Sequence, residues 1–432
     1  MSEWNKAVCL VVDNGLFVGL AQTLAKEFGR VLYHTPDWAK GFPSIQDAII
    51  GDGFNEFERV NDIWEVMDEV DICVFPDICH AGLQLHLESI GKRVWGARQG
   101  DSLEMIREKF LRKLEDVGLD VPGWRLITGL PKLREYLKKN EDKYVKISRW
   151  RQDLETFHHL DYDLSLGKLD ELACRFGPLQ DDMPFIVVDP IECIAEIGYD
   201  GYCIDGKFPT QSSYGIECKN KGYIGTLKKY HSLPQSVREV NAALSETLAG
   251  FNYRQFWSTE IRVTEDSAFF IDPTCRLGMP SGDAQLALYG NVAEIVWNGA
   301  AGILVDPKPA AKFCAQSLMS HSGKEGSWRT LHIPDEIYDF VRLLYPCKIG
   351  DLYGISPSSR CEDTIGSVIG IGDTIEEAIQ HVNANAYLLK QQPVTVHVDS
   401  LADVLADIQE SQDEGMIFTT GKIPEPASVI ED

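Results

Sequence analysis

Apolar positions along this chain change period repeatedly, and the changes mark its elements. Residues 7–12 are a continuous apolar run, the pattern of a strand buried on both faces. Asp13-Asn14-Gly15 follows, and then Phe17, Leu20, Leu24 and Phe28 recur at helical spacing until Gly29. Residues 31–33 begin a second strand. The same strand–helix–strand order returns at 71–75, 82–90 and 93–95. Together these units predict a small doubly wound domain over roughly the first hundred residues. Asp77 and His80 fall just past the carboxyl end of one of its strands, where such sheets bind ligands. Gly15 and Gly19 lack the rest of a dinucleotide fingerprint and read as helix–strand packing.

Residues 102–117 predict a charged amphipathic helix with Gly118 as its C-cap. Strands are expected at 124–127, 144–147, 184–188 and 196–205, the last turned at Asp205-Gly206. Helices are expected at 131–139 and 236–250. Residues 281–325 mix helix with loop. Beyond them the chain reads as a separate unit, with a helix at 336–344 and strands at 365–369 and 394–398. Thr374, with Glu377 three residues on, forms a capping box for a helix running to about 389. The stretch from Ser400 is acidic, carries Pro424 and Pro426, and is expected to be partly disordered.

One segment combines strand periodicity with unusual chemistry. In Ser258-Thr259-Glu260-Ile261-Arg262-Val263-Thr264, alternation places Glu260, Arg262 and Thr264 on one face. In the stretch ending Ile271-Asp272-Pro273-Thr274-Cys275-Arg276, it places Asp272, Thr274 and Arg276 on one face. The short polar link Glu265-Asp266-Ser267 predicts a hairpin. Centred on Asp266, that hairpin sets Glu260 opposite Asp272. Facing carboxylates repel unless something positive lies between them. A divalent ion such as Mg²⁺, which takes carboxylate oxygens and bridges them to phosphates, would satisfy both. Arg262 and Arg276 could hold further negative charge. The flanking Phe256-Trp257 and Phe270-Ile271 argue for a half-buried setting over a solvated polar face.

Composition narrows the partners. The 432 residues are 44% hydrophobic and 25% charged, enough for several cores. The formal net charge of −25 argues against binding to duplex nucleic acid. No apolar run reaches membrane-span length, and the start of the chain lacks signal-peptide character. The 11 cysteines are scattered without a C-x-x-C pair, as in a reducing, cytoplasmic setting. There is no P-loop. Phosphate contacts would therefore come from single lysines, with Lys109 and Lys146 as candidates. A homodimer is expected only on general grounds.

The order of these features, a lysine, a strand lysine, a hinge acid and a paired-carboxylate hairpin, resembles the ATP-grasp superfamily along the whole chain. Within it the sequence resembles glycinamide ribonucleotide synthetase (phosphoribosylamine-glycine ligase). Five stretches carry the likeness: 70–110, the strand around Lys146, 187–206, Asp272-x-Thr274-x-Arg276-x-Gly278, and 366–389 with Gly372-Asp373-Thr374. The resemblance implies an α/β and α+β protein. It would have a doubly wound amino-terminal domain (1–100), a two-lobed ATP-grasp domain (101–325) with a mobile lobe near 130–195, a small carboxyl-terminal α+β domain (326–398) and an acidic tail (399–432). It implies ATP with Mg²⁺ or Mn²⁺, held as follows. Lys109, Lys146 and Lys219 would meet phosphates; the segment 189–193, with Asp189 and Glu192, would meet adenine; Glu196 would meet ribose. Glu260, Asp272 and Thr274 would ligate metal, while Arg276 and Arg262 would lie near the reacting groups. The implied reaction activates a carboxylate as an acyl phosphate and joins it to an amine, releasing ADP and phosphate. A phosphotransferase and a non-catalytic nucleotide-binding protein are the alternatives. The sequence departs from the family at Thr274, where the family has asparagine. It also departs at 147–153, where a glycine-rich flap is replaced, and at 279–283, so both substrates stay open.

Overall fold

The computed structural model describes residues 2–35, 49–147, 156–193, 195–218, 222–279, 281–321, 328–355, 364–413 and 415–426. Its first unit comprises β1 (Val8–Val12), α1 (Val18–Ala25), β2 (Arg30–His34), β3 (Glu58–Arg59), α2 (Ile63–Val66), β4 (Ile72–Val74), α3 (Ala81–Ser89) and β5 (Arg93–Trp95). The five strands are parallel in the order β3-β2-β1-β4-β5. Connections reverse direction between β1 and β4, so the loops after these strands, 13–17 and 75–80, flank the switch point of a doubly wound sheet. Asp13 takes up the β1 loop by accepting N–H bonds from Gly15 (3.0 Å) and Phe17 (2.9 Å). Gly15 has φ +91°, a conformation that favours glycine.

The expected helix over 102–117 is two helices, α4 (Ser102–Met105) and α5 (Arg107–Asp116). Ile106 leaves helical geometry between them, at φ −122° and ψ 87°. A small lobe follows: β6 (Trp124–Thr128), α6 (Leu130–Leu137), β7 (Lys143–Ile147), β8 (Thr156–His159), α7 (Tyr162–Phe176) and β9 (Pro184–Val188). Its strands pair antiparallel in the order β6-β9-β7-β8. Leu133, Leu137, Val145, Leu169, Leu172 and Phe185 are buried in a core separate from that of the main body.

The main body is a nine-stranded sheet. It contains β10 (Ala195–Ile204), β11 (Gln211–Cys218), β12 (Gly222–Lys229), β13 (Arg254–Val263) and β14 (Ala268–Thr274). Helix α8 (Gln235–Gly250) covers β10 and β13, with Trp257 Nε1 donating to Asn241 at 3.0 Å. After α9 (Ser281–Leu288) and α10 (Val292–Ala300), the same sheet continues with β15 (Phe313–Ser320). A three-stranded sheet with β16 (Arg329–Leu331) at one edge adds on here. Strand β17 (Val341–Leu343) lies at the far edge of the main sheet, and β18 (Pro346–Ile349) and β19 (Leu352–Ile355) complete the small one. Then come β20 (Thr364–Gly372), α11 (Ile375–Leu388), β21 (Thr395–Val396) and α12 (Ser400–Asp413).

Four expectations are corrected. The boundary at about 325 falls inside continuous sheet, since β12 pairs with β15 and β15 with β20. Strand β15 was read as loop because Gln316 and Ser317, although buried, break its apolar run. The expected helix at 336–344 is a 3₁₀ turn (Asp335–Phe340) leading into β17. Of the tail, Ser400–Asp413 form α12, which buries Leu401, Val404, Leu405 and Ile408 against β11 and β12, while 427–432 lie outside the described residues. These four recur at i, i+3, i+4 and i+7, a helical stripe hidden by the acidic residues around it. The capping box behaves as expected in part: Glu377 N donates to Thr374 Oγ1 at 3.1 Å, while the Glu377 carboxylate accepts from Asp373 N instead of the cap residue. No described helix is long and apolar enough to cross a membrane.

Leu405→Ala should remove a fully buried side chain from the α12 seam. It is expected to lower unfolding free energy by about 2–5 kcal/mol in urea titrations. A loss under about 0.5 kcal/mol would mean that α12 does not dock.

Candidate active site

Strands β13 and β14 form the hairpin expected from alternation. Its turn is closed by Thr264 N donating to Ser267 O at 2.8 Å and Ser267 N donating to Thr264 Oγ1 at 3.0 Å. Near the turn the pairs are Val263 with Ala268, Arg262 with Phe269 and Ile261 with Phe270. The register then shifts by one residue, and Glu260 pairs with Asp272. The extra residue is Ile271, so the facing carboxylates depend on a bulge. Beyond it, Ser258 pairs with Thr274. On the other side β10 presents Glu196 beside Arg262, Gly198 beside Glu260 and Asp200 beside Ser258. The floor of the site is therefore a set of rows running across three strands.

Asp272 receives two cations, one on each carboxylate oxygen. Arg107, the first residue of α5, donates from Nη1 to its Oδ1. Lys146, on β7 of the small lobe, donates to Oδ2 at 3.2 Å. Burial alone would raise the Asp272 carboxyl, but the Arg107 guanidinium and the Lys146 ammonium outweigh it and hold the group well below the usual carboxylate range. Glu196 is matched by Arg262 Nε at 3.0 Å, and the Arg262 guanidinium lies 6.0 Å from the Tyr144 ring centre.

Two cavities open along this floor. One, of about 130 Å³, lies between the lobes and is lined by Arg107, Lys146, Arg262, Asp189 and Asp272, with Tyr144, Ile186 and Val188 among its apolar walls. The other, of about 120 Å³, is lined by Asp200, Glu217, Tyr223, Ser258, Thr274 and Ser281, among others. Glu260 lines both.

Neither a protein-family model nor a curated protein sequence matches the chain. Solved structures do. Phosphoribosylamine-glycine ligase from Thermotoga maritima superposes with a TM-score of 0.66 at 14% identity, over 90% of this chain and 97% of that one. The biotin carboxylase domain of 2-oxoglutarate carboxylase from Hydrogenobacter thermophilus, solved with MgADP and bicarbonate, gives 0.63 at 10% identity, over 95% and 96%. N5-carboxyaminoimidazole synthase from Aspergillus clavatus, solved with ADP and 5-aminoimidazole ribonucleotide, gives 0.58 at 10% identity, over 90% and 100%. The chain has the ATP-grasp fold.

Within this ATP-grasp fold the residues singled out from sequence fall in different places. Lys146, Asp189, Arg262, Glu260 and Asp272 converge on the cavity between the lobes. Thr274 and Glu196 line the second cavity with Glu260. Asp189 also meets Lys143 Nζ at 3.3 Å. Glu192 is exposed beside these residues. Lys109 is not brought in: it is exposed, and its Nζ donates to Ser102 Oγ at 2.8 Å. Arg276 turns toward the amino-terminal unit, 2.9 Å from Glu104 and 3.9 Å from buried Asp77. His80 is buried at the N-cap of α3. Lys219 and the segment 148–153 lie outside the described residues.

Arg107 was missed. Its signal was present: Arg107, Phe110, Leu111 and Leu114 form the buried stripe of α5, and an arginine on an apolar stripe needs an internal acid. Lys109 lies two residues on, about 200° around the helix. Glu260, Asp272 and Thr274 supply oxygen donors. Among the described residues no group of three or more His, Cys, Asp or Glu forms a self-contained metal site.

Because the folded Asp272 carboxyl lies below its ordinary 3.8, its pairing stabilises the fold fully above about pH 3.8. That contribution is lost as pH falls below 3.8 toward the folded value. Asp272→Asn should therefore be less stable near neutrality and show a shallower acid slope than the native chain. Parallel stability curves for the two proteins between pH 2 and 6, about the window set by that linkage, would exclude the assignment.

Proposed function

We propose that the chain is an ATP-dependent, ADP-forming ligase that activates a carboxylate as an acyl phosphate and joins it to an amine. The observation that carries this reading is the convergence of Arg107, Lys146 and Arg262 with Glu260 and Asp272 in one cleft between two lobes. Such a cleft offers cations for phosphate oxygens and paired carboxylates for a hard metal ion. The three neighbours named above, a ligase, a biotin carboxylase domain and a synthase, support this reading, the last two having been solved with ADP.

The donor set fits magnesium or manganese delivered with a nucleotide. Two carboxylates and a hydroxyl are too few for an all-protein cage, but Mg²⁺ is commonly held by one or two carboxylates plus substrate phosphates. When bound, the ion neutralises phosphate charge during transfer. Glu260 and Asp272 would hold it, with Thr274 beside them. Arg107 and Lys146 already engage both oxygens of Asp272. A phosphate would offer these cations a second acceptor, and Asp272 would then be available as an oxygen donor to the ion. Tyr144, Ile186 and Val188 provide apolar walls for a base, and Asp189 polar contacts at its edge. Phosphoryl transfer needs positioning and charge neutralisation, with no protein nucleophile.

Mg-ADP should stabilise the protein, by about 2.7 kcal/mol at a hundred times Kd. With pooled carboxylic acids and amines the products should be ADP and phosphate. Asp272→Asn and Glu260→Gln should each lower kcat by about 10²-fold or more. Arg107→Ala should weaken nucleotide binding, whereas Lys109→Ala should leave it near native. Release of AMP and pyrophosphate, or full turnover in Asp272→Asn, would refute the proposal.

A further inference from the structure

Tyr144 meets a different neighbour on each side of its ring. His158, its cross-strand partner on β8, stacks against it with ring centres 4.3 Å apart and planes 4° from parallel. His158 is itself fixed, its Nε2 donating to Asp142 Oδ1 at 2.7 Å. Asp142 has φ +49°, in the left-handed region that aspartate tolerates better than most residues, and its N–H donates to Leu160 O at 3.0 Å. The Arg262 guanidinium, on β13 of the main sheet, lies over the Tyr144 ring at 6.0 Å from its centre. Tyr144 and Arg262 line the cavity between the lobes, and His158 does not. The imidazole therefore backs the ring, and the guanidinium faces it across the cavity. Arg262 is held by Glu196 through Nε at 3.0 Å. That N–H lies in the guanidinium plane, so Glu196 takes an edge and leaves the flat faces available.

An aromatic plane and a guanidinium plane across a gap attract a flat, polarisable group between them. Such a group needs about 7 Å, two contacts of about 3.5 Å each. The 6.0 Å in place falls short by about 1 Å, so a slight outward shift of the small lobe admits it. A sugar or a phosphate gains little from two flat surfaces. Position along the strand agrees with a base in this slot. Tyr144 and Lys146 share a face of β7, about 6.8 Å apart, so a base on Tyr144 lies next to the lysine offered to phosphate. Val188 and Ile186, paired with Tyr144 and Lys146 across β9, supply the adjoining apolar wall.

We infer that the nucleotide base is sandwiched between Tyr144 and Arg262, with His158, Asp142 and Glu196 as positioning residues that hold those two planes. This rests on the ligase reading and deepens it: affinity for the base depends on an exposed His158–Asp142 pair outside the cavity, and Glu196, expected at ribose, acts through Arg262.

The test is calorimetric titration of the full chain and its variants with Mg-ADP, with thermal unfolding of each variant as the check on folding. Tyr144→Phe keeps the ring and should bind as the native chain does, whereas Tyr144→Leu should weaken Mg-ADP by about tenfold or more. His158→Ala should weaken it by about threefold or more, and His158→Phe, which restores a flat backing, should recover native affinity. Arg262→Lys keeps the charge without the plane and should also cost about threefold or more. A spectroscopic signature separates stacking from mere support of the fold: the magnesium complex of 2-aminopurine ribonucleoside diphosphate should lose fluorescence on binding the native chain and lose less on binding Tyr144→Leu. Native Mg-ADP affinity in Tyr144→Leu or in Arg262→Lys, equal losses in the two His158 variants, or an unquenched bound analogue would overturn the inference. Should Tyr144→Leu fail to fold, the His158 pair of variants decides. Failure of the native chain to bind Mg-ADP would instead refute the ligase reading, so the two failures are distinguishable.

Discussion

The contact on which the site depends is the one Asp272 makes with Arg107 and Lys146. Each partner comes from a different part of the chain: Asp272 from β14 of the main sheet, Arg107 from α5, Lys146 from the small lobe. Partial burial alone would raise this carboxyl. Two cations keep it charged and tie three elements to one point. Removing either cation would leave this half-buried charge less well compensated. The small lobe has its own core, so this ion pair is one of its polar links to the main sheet. A phosphate-bearing ligand, by engaging the same cations, would act on the link between the lobes.

The geometry behind that contact was only partly legible in the sequence. Alternation placed Glu260 and Asp272 on inward faces, and their pairing was read correctly, but by counting from Asp266. The register near the turn would by itself have set Glu260 against Ile271. The bulge at Ile271 restores the match, and nothing in Phe269-Phe270-Ile271 announces a bulge. By residue type alone, Lys109 of α5 suits a phosphate. Burial chose Arg107, because α5 turns Phe110, Leu111 and Leu114 inward on the same side. Periodicity carried the better information there, and residue type the worse.

The carboxyl-terminal half shows the same competition between local pattern and tertiary context. Gln316 and Ser317 are buried in β15, yet their polarity hid the strand. Strand β15 continues the main sheet into β20, so the last third of the chain shares a sheet with the hairpin. Helix α12 was hidden by composition, although its Leu401, Val404, Leu405 and Ile408 repeat with helical period. It covers β11 and β12 on the face away from Glu217 and Gly215. On the Asp200 side α9 packs against β10, β11, β12, β15 and β20, with Ser281 Oγ donating to Asp200, so the second cavity lies at the edge of a face that is itself largely covered.

One strand, β13, lines both cavities. Along β13, Ser258, Glu260 and Arg262 point to the same face at a spacing of about 6.8 Å per two residues. Arg262 pairs with Glu196 beside the cleft between the lobes, and Ser258 faces Asp200 in the acidic chamber. Glu260 stands between them and lines both. The change from cationic to acidic surroundings therefore takes place over about two strand residues on each side of one carboxylate. At that separation, in a medium less polarisable than water, a charge in one chamber is felt strongly in the other.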